Sequence, residues 1–314
     1  MSGTQHQLDP EIRSFAASSE AFFTAAFDAL GPAEQRRRYA AWCREWSAPR
    51  PALIAATDLR VPVGEVEVPV RLYRRRDLAG KLPVVLYMHG GGWTLGSPET
   101  HEQVTALMAL ETSAAVISID YRLAPEHKFP AAFTDCYGVL TWLAHVGEAL
   151  DLDTDRVAVA GDSAGGNLAV AIALAARDRG GPKIAFQALI YPGLQFDRSE
   201  ADGEADSPGL SAESLGVYAR AYLPAAEEGR NPYAAPLHAA DFSGLPPAYI
   251  AAAWFDVIRE DSVLYAEKLR AAGVSVTYHC APSLTHTYLR TIHCCAAARN
   301  EFLDLCRAMK KVLE

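Results

Sequence analysis

The sequence has few cysteines, and their spacing excludes the common metal-binding and disulfide patterns. The six cysteines include no C-x-x-C pair and no zinc-ligand spacing. Cys294 and Cys295 are adjacent, which is poor geometry for an ordinary disulfide. Reduced thiols are typical of the cytoplasm, so we expect a cytoplasmic protein.

Long apolar runs and an excess of basic residues are also missing. No apolar run approaches the roughly 18 residues of a membrane span, and the opening MSGTQHQLDPEIR lacks the basic start and apolar core of a secretory signal. Lys and Arg total 29 against 38 Asp and Glu, a formal charge of −9. Nucleic-acid binding needs clustered basic residues, and the arginine runs at 36–38 and 74–76 are too short to supply them. We therefore expect neither a nucleic-acid nor a membrane partner.

Half of the 314 residues are hydrophobic, and their arrangement predicts an α/β fold. Short apolar runs alternate with amphipathic stretches from about residue 55, as in a doubly wound, mostly parallel sheet that is preceded by an antiparallel meander. The runs predict strands near 57–61, 66–73, 84–88, 115–119, 156–160, 184–190, 248–254 and 274–280. The amphipathic stretches predict helices near 99–111, 130–146, 164–179, 260–272 and 287–313.

Two regions depart from this alternation and predict a small cap. Residues 1–50 carry aromatic side chains at helical spacing, and residues 195–241 include the Gly-, Asp-, Ser- and Pro-rich QFDRSEADGEADSPG. An insertion between two strands is tolerated where it covers a face or a site. We expect a main domain of residues 51–194 and 242–314, with N-terminal cap helices at 1–50 and a cap insertion at 195–241.

The strongest local pattern is Gly161-Asp162-Ser163-Ala164-Gly165, which fits G-x-S-x-G. It follows the apolar run RVAVA and precedes an alanine-rich helix, so a sharp strand-to-helix turn would lift the Ser163 hydroxyl clear of the backbone. The alternative is a glycine-rich turn that packs tightly and has no chemistry. The flanking strand and helix favour Ser163 as a nucleophile.

A serine nucleophile needs a base, and a base needs a carboxylate to orient it. His286 lies in the loop SLTHT just beyond the last predicted strand, at the sheet edge where open α/β sheets place their sites. The other histidines lie within elements, near the terminus or in the insertion, and His293 is predicted two turns into the final helix. Asp256 follows the strand AYIAAAW and is the first candidate for the acid, with Glu260 second. Helix capping is the alternative role for Asp256.

The glycine run His89-Gly90-Gly91-Gly92-Trp93 follows the strand PVVLYM. Glycines at a strand end can turn backbone amides toward a developing oxyanion. A flexible turn is the alternative, and phosphate binding is disfavoured because no P-loop or dinucleotide pattern follows. His89 is expected to hold this loop rather than to act as the base.

The larger pattern consists of HGGGW, DYRLAPEHKFPAAFTD, GDSAGGNLA and the spacing from these motifs to Asp256 and His286. This pattern resembles the bacterial hormone-sensitive lipase family of α/β-hydrolase esterases. The resemblance spans about residues 50–313 and implies an eight-stranded, mostly parallel sheet with helices on both faces and a helical cap. It implies a triad of Ser163, Asp256 and His286, with an oxyanion hole formed by the amides of Gly91, Gly92 and Ala164.

Two segments depart from the family pattern. Where members commonly read Asp-Pro-Leu, this chain has Asp256-Val257-Ile258, and where they read His-Gly-Phe it has His286-Thr287-Tyr288. Both departures keep the triad residues and affect the expected pocket shape. In YRLAPE, Arg122 and Glu126 are expected to form an ion pair that holds the loops around the nucleophile.

The resemblance implies a serine carboxylesterase that acts on short- to medium-chain acyl esters, acetyl to about octanoyl, with no cofactor and no metal. Trp93, Asp162 and Tyr191 are the expected pocket residues. A small-molecule ester is the expected partner, and a homodimer is expected because dimers occur in the family. The alternatives are a binding protein of the same fold without turnover, and hydrolysis of amides or lactones by the same groups.

Overall fold

The computed structural model describes residues 6–197 and 207–314. Within them, eight strands form one sheet in the order β1-β2-β4-β3-β5-β6-β7-β8. The strands are β1 Ile54–Val63, β2 Val66–Arg75, β3 Leu82–Met88, β4 Ala115–Ile119, β5 Leu152–Asp162, β6 Phe186–Ile190, β7 Ala248–Phe255 and β8 Val276–Thr285. β1 pairs antiparallel with β2, and β2 with β4. All other pairs are parallel, which confirms the predicted sheet and its opening meander.

Helices cover both faces of the sheet. The helices are α1 Arg13–Phe22, α2 Ala25–Asp28, α3 Pro32–Glu45, α4 Glu102–Thr112, α5 Ala131–Val146, α6 Ala164–Asp178, α7 Ala212–Tyr222, α8 Arg259–Ala271 and α9 Ala296–Leu313. Alternate residues of β3 enter the two cores, with Leu86 on the side of α5, α6 and α8 and Tyr87 on the side of α4 and α9. Successive side chains of a strand point to opposite faces of the sheet. A continuously apolar run is therefore buried on both sides.

The structure corrects the predicted final helix. The segment 287–313 divides into a 3-10 turn, Tyr288–Thr291, and helix α9, which begins only at Ala296. Thr287 adopts the left-handed conformation with φ of 64°, which an α-helix cannot include. His293 therefore lies in the exposed turn before α9 and not inside a helix.

The two irregular regions both approach the carboxyl ends of the strands. Arg36 on α3 donates hydrogen bonds to the carbonyl oxygens of Thr94 and Ala124, at 2.9 and 2.8 Å. At the end of α7, the carbonyl oxygen of Tyr222 accepts a bond from the Phe129 amide. Both regions thus rest on the loops that follow the strands. Residues 1–5 and 198–206, which belong to the expected cap segments, lie outside the described residues.

The division into a cap of 1–50 and 195–241 and a main domain remains our proposal. No helix in the described ranges is both long and apolar enough to cross a bilayer.

Candidate active site

Ser163 lies at a sharp turn between the central strand β5 and helix α6. Its backbone φ of 53° is rare for a residue with a side chain, and it lifts the hydroxyl out of the strand direction. The turn leaves no room for side chains at its glycines. A Cβ on Gly161 would collide with the carbonyl group of Gly165, and a Cβ on Gly165 would collide with that of Met88. The glycines of the pattern are therefore required by the close approach of backbone segments.

A continuous hydrogen-bonded chain links Ser163, His286 and Asp256. The Nε2 atom of His286 lies 3.0 Å from Ser163 Oγ, and its Nδ1 atom lies 2.8 Å from Asp256 Oδ2. The other oxygen of Asp256 accepts a 2.9 Å bond from the Ile258 amide. Asp256 and His286 are both buried, whereas Ser163 is partly exposed. This arrangement can transfer a proton from the serine hydroxyl to the imidazole, whose orientation the carboxylate holds.

The glycine loop after β3 presents unpaired amides beside this serine. Gly91 and Gly92 adopt φ of 125° and 59°, and the Gly91 carbonyl accepts bonds from the amides of Thr94 and Leu95. Among the hydrogen bonds of the described residues, the amides of Gly91 and Gly92 donate none. The amide of Ala164 begins helix α6, where the first amides lack intrahelical acceptors. These amides are free to bind an anionic oxygen.

Asp162, one of the expected pocket residues, supports the glycine loop from behind. Its Oδ1 atom accepts hydrogen bonds from the Tyr87 hydroxyl at 2.6 Å and from the Gly90 amide at 2.9 Å. Burial alone would raise the pKa of this carboxyl, but the hydrogen bond from the Tyr87 hydroxyl and the charge of Arg290 hold it well below its ordinary value. Asp162 is therefore a buried carboxylate that fixes the loop from which Gly91 projects.

His89 also lies behind the loop. Its Nδ1 atom is 3.0 Å from the Gly90 carbonyl oxygen, and its ring stacks on Tyr121 with centroids 4.3 Å apart. Burial lowers the pKa of His89 to about 3. His89 is neutral, stacks on Tyr121 and forms no hydrogen bond with Ser163. Its position is consistent with a role in supporting the glycine loop.

Two small chambers meet at Ser163. The first, of about 50 Å³, includes His286, Thr287 and Arg290 among its lining residues, together with Phe23 from the N-terminal region. The second, of about 40 Å³, is mostly apolar and includes Trp93, Phe196, Leu215 and Ile258. Four residues line both chambers: Gly92, Ser163, Leu210 and Tyr218. The site therefore offers two separate and restricted spaces on either side of the serine.

Trp93 and Tyr191 occupy different positions relative to these chambers. Trp93 lines the apolar chamber and stacks on Tyr222 with ring centroids 4.3 Å apart. Tyr191 is buried beneath the base, with its ring 4.6 Å from that of His286. Tyr191 is absent from the lining of both chambers, and its ring contacts are with His286 and with Tyr288, whose ring lies 5.2 Å away.

The predicted ion pair between Arg122 and Glu126 is wrong. Arg122 binds the buried Asp135 on helix α5 through Nε and Nη2, while Glu126 pairs with Arg36 on α3 at 2.6 Å. The two side chains that are close in sequence thus connect to different elements. The alternative acid Glu260 lies in the first turn of α8 and forms no bond with His286.

All six cysteines are free thiols. In the described part of the chain, the one grouping with metal-ligating atoms close together is Asp9, Glu11 and Cys295. Its carboxylates are already used, because Asp9 accepts a bond from the Glu11 amide and Glu11 one from the Ala296 amide. None of these three residues is hydrogen-bonded to Ser163, and the two carboxylates cap the starts of helical segments.

Sequence reasoning missed the residues that shape the chambers, notably Tyr218, Leu210 and Arg290. Tyr218 and Leu210 come from the irregular region around α7, where no periodic pattern identifies an inward side chain. Arg290 offered one signal, since it is the single charged residue in the otherwise uncharged TYLRTI. Its burial was not evident because 287–313 was expected to be one amphipathic helix.

Comparisons with known proteins are consistent with this geometry. A family model described as alpha/beta hydrolase fold matches residues 85–290. Carboxylesterase NlhH of Mycobacterium tuberculosis is 42% identical over 231 residues, 72% of this chain and 72% of that protein. Ethyl acetate hydrolase of Pseudomonas putida is 31% identical over 296 residues, 90% of this chain and 92% of that one.

A similar solved structure is that of a hyperthermophilic esterase from the archaeon Pyrobaculum calidifontis. It superposes with a TM-score of 0.89 at 33% identity, covering 97% of this chain and 98% of the other. The likeness therefore extends over nearly the whole chain, including the regions outside the sheet.

Proposed function

The chain belongs to the hormone-sensitive lipase family of α/β-hydrolase carboxylesterases, and we propose that it hydrolyses short-chain acyl esters through an acyl-enzyme on Ser163. The observation that carries this proposal is the unbroken hydrogen-bonded chain from Ser163 through His286 to Asp256, beside the unpaired amides of Gly91 and Gly92. Membership of the family makes it a carboxylic ester hydrolase, and the residue roles below are our assignment.

In the first half of the reaction, His286 removes the proton of Ser163 as Oγ attacks the ester carbonyl carbon. The carbonyl oxygen becomes an oxyanion that the amides of Gly91, Gly92 and Ala164 bind. Each such preorganised donor stabilises the tetrahedral intermediate by about 3 kcal/mol. Asp256 orients the imidazole and stabilises its protonated form. The intermediate collapses when the carbon–oxygen bond to the alcohol breaks and His286 donates its proton to the departing oxygen.

In the second half, a water molecule gives a proton to His286 and attacks the acyl carbon. The tetrahedral intermediate forms again at the same amides. The bond to Ser163 Oγ then breaks, His286 returns the proton to that oxygen, and the carboxylic acid leaves.

The positions of the chambers assign the two halves of the ester. The leaving alcohol must lie where His286 Nε2 can protonate it, and His286 lines the chamber of Arg290 but not the chamber of Trp93. We therefore assign the alcohol to the Arg290 side and the acyl chain to the apolar Trp93 side. A volume of about 40 Å³ holds about three water-sized groups, which supports the short end of the acyl range. The relative named ethyl acetate hydrolase supports the same choice.

The test is the rate of p-nitrophenyl acetate and butyrate hydrolysis by Ser163→Ala and His286→Ala. We expect kcat to fall by about four orders of magnitude or more in each, because the triad acts as a unit. His293→Ala is the matched control, since that imidazole is exposed and lies outside the hydrogen-bonded chain. Wild-type rates in Ser163→Ala would rule out the proposed mechanism.

A further inference from the structure

Arg290 is a buried cation close to the proposed nucleophile. The residue is 5% exposed and lies on the 3-10 turn that follows His286. It donates hydrogen bonds to the Thr100 carbonyl oxygen, to the Tyr39 hydroxyl at 3.0 Å and to His101 Nε2 at 2.9 Å. All three acceptors are uncharged. Among the described residues, no carboxylate lies within 4.0 Å of this guanidinium.

The nearest compensating charge is Asp162, on the other side of His101. The Oδ2 atom of Asp162 lies 3.5 Å from His101 Nε2, the same atom that accepts the bond from Arg290. Since Nε2 accepts, the ring proton belongs on Nδ1, which lies 2.9 Å from Thr100 Oγ1. Burial and Arg290 both lower the pKa of His101, so the ring is neutral near neutral pH. His101 is therefore a neutral spacer between a buried cation and a buried anion.

The other titratable groups around this pair are neutral as well. Burial raises the pKa of Tyr87 on β3, of Tyr39 and Cys43 on α3, and of Tyr191 after β6. Burial also lowers the pKa of His89. Asp162 and Arg290 are consequently the two full charges in this part of the core.

This charge pair adjoins the oxyanion amides. Asp162 precedes Ser163 in the chain and holds the Gly90 amide, one residue before Gly91. A carboxylate here would oppose the negative charge that develops on the substrate oxygen unless a cation offsets it, because charges interact strongly in a buried site. A buried carboxylate that loses its counter-charge also takes up a proton more readily.

We propose that Arg290 is a positioning residue for ester hydrolysis, whose charge acts through His101 to offset Asp162 and keep that carboxylate bonded to the glycine loop. The proposal rests on the serine mechanism described above. It assigns to Arg290 an electrostatic action on the oxyanion site, in addition to its packing between α3, α4 and the turn after β8.

The test compares Arg290→Met, Arg290→Lys, Asp162→Asn and the double variant Asp162→Asn/Arg290→Met. We expect Arg290→Met to lose about tenfold or more in kcat/KM at alkaline pH, since the uncompensated carboxylate then opposes the oxyanion. Its activity should fall further as pH rises and Asp162 ionises, which adds an ionisation that the wild type lacks. Arg290→Lys keeps the charge but not all three hydrogen bonds, so it should recover part of the loss and should not show the added ionisation.

The double variant separates charge from packing. Without the carboxylate there is no ionisation for Arg290 to suppress, so Arg290→Met should not add the extra ionisation to Asp162→Asn, and its loss of kcat/KM should be clearly smaller there than in the wild-type background. A tenfold loss in this background as well would show a packing role and overturn the proposal. So would Arg290→Met with the wild-type rate and pH profile.

Two measurements keep the result interpretable. If Arg290→Met alone does not fold, recovery of folding in the double variant supports the proposal, because only removal of the carboxylate can then relieve the defect, and failure of both variants to fold would overturn it in favour of packing. Labelling of Ser163 by an organophosphate, with Ser163→Ala in parallel, tests the serine mechanism separately. Loss of the Ser163 dependence would overturn the proposed function, whereas normal labelling with unchanged Arg290 variants would overturn this inference alone.

Discussion

The ring of Tyr218 on α7 lies directly against the backbone of Gly92. A Cβ at Gly92 would collide with the Cδ1 and Cγ atoms of that ring. The insertion is thus in contact with the proposed oxyanion loop, and the absence of a side chain at residue 92 is what permits the contact. Helix α7 and the proposed oxyanion amides form one packed unit at this point.

We expect Gly92→Ala to reduce kcat/KM on p-nitrophenyl acetate by about 100-fold, because the displaced loop misplaces an oxyanion donor. Gly64→Ala is the matched control, since Gly64 has a similar φ of 60° but open space around it. The control should lose stability through its left-handed backbone and keep its activity. Tyr218→Ala should partly restore Gly92→Ala, and full activity of Gly92→Ala would contradict the contact argument.

The two chambers predict separable changes in substrate preference. Leu215→Ala enlarges the apolar chamber and should raise the ratio of kcat/KM for hexanoate over acetate esters by about 10-fold, since buried methylenes contribute about 0.8 kcal/mol each. Phe23→Ala enlarges the other chamber and should instead favour bulkier alcohols in a series of acetate esters. The reverse pattern, with Phe23→Ala extending the acyl range, would exchange our acyl and alcohol assignments.

Removal of Arg122 should destabilise the fold. Asp135 is fully buried and binds the Arg122 guanidinium through both carboxylate oxygens, so Arg122→Met leaves a buried anion with only the backbone amide of residue 122. We expect a loss of about 2–4 kcal/mol in the free energy of unfolding by urea, less than for a wholly buried pair because Arg122 is partly exposed. Lys81→Met, which breaks the exposed pair with Glu148, should leave the urea midpoint unchanged. Equal effects of the two variants would refute this account.

The buried His89 predicts a loss of stability in acid. Burial lowers its pKa from the ordinary 6.5 to about 3, so between these values the unfolded chain binds a proton that the native protein does not. The free energy of unfolding therefore falls as pH drops below 6.5, by about 1.4 kcal/mol per pH unit for one proton. The stability that this group contributes is fully present above pH 6.5.

Urea unfolding at several pH values measures this slope. His89→Gln should flatten it by about one proton, while the exposed His145→Gln serves as the control for loss of an imidazole. Some slope should remain in His89→Gln, because burial and Arg290 lower the pKa of His101 as well. If the free energy of unfolding depends on pH with the same slope in His89→Gln and wild type, His89 does not govern the loss of stability in acid.

Apolar runs predicted the sheet because their cause is local. The run LPVVLYM must be buried on both faces, and a covered parallel strand does this in seven residues. The final helix was predicted too long for the opposite reason. Its first residues follow the helical pattern, yet Thr287 turns left-handed and Arg290 is drawn inward to Tyr39 and His101, which are distant in sequence.

The difference between local and long-range causes also applies to the candidate active site. The G-x-S-x-G and HGGG patterns, and the residues after β7 and β8, record short-range requirements of strand ends and tight turns, so Ser163, Asp256 and His286 could be named from the sequence. The partners of Arg122 and Glu126 could not, because ion pairing depends on which elements pack together. The two chambers, the contact of Tyr218 with Gly92 and the Arg290–His101–Asp162 arrangement arise only when α3, α7 and the turn after β8 meet above the sheet. Sequence determined the proposed reacting groups through local backbone chemistry, and tertiary packing decided the space and the charges around them.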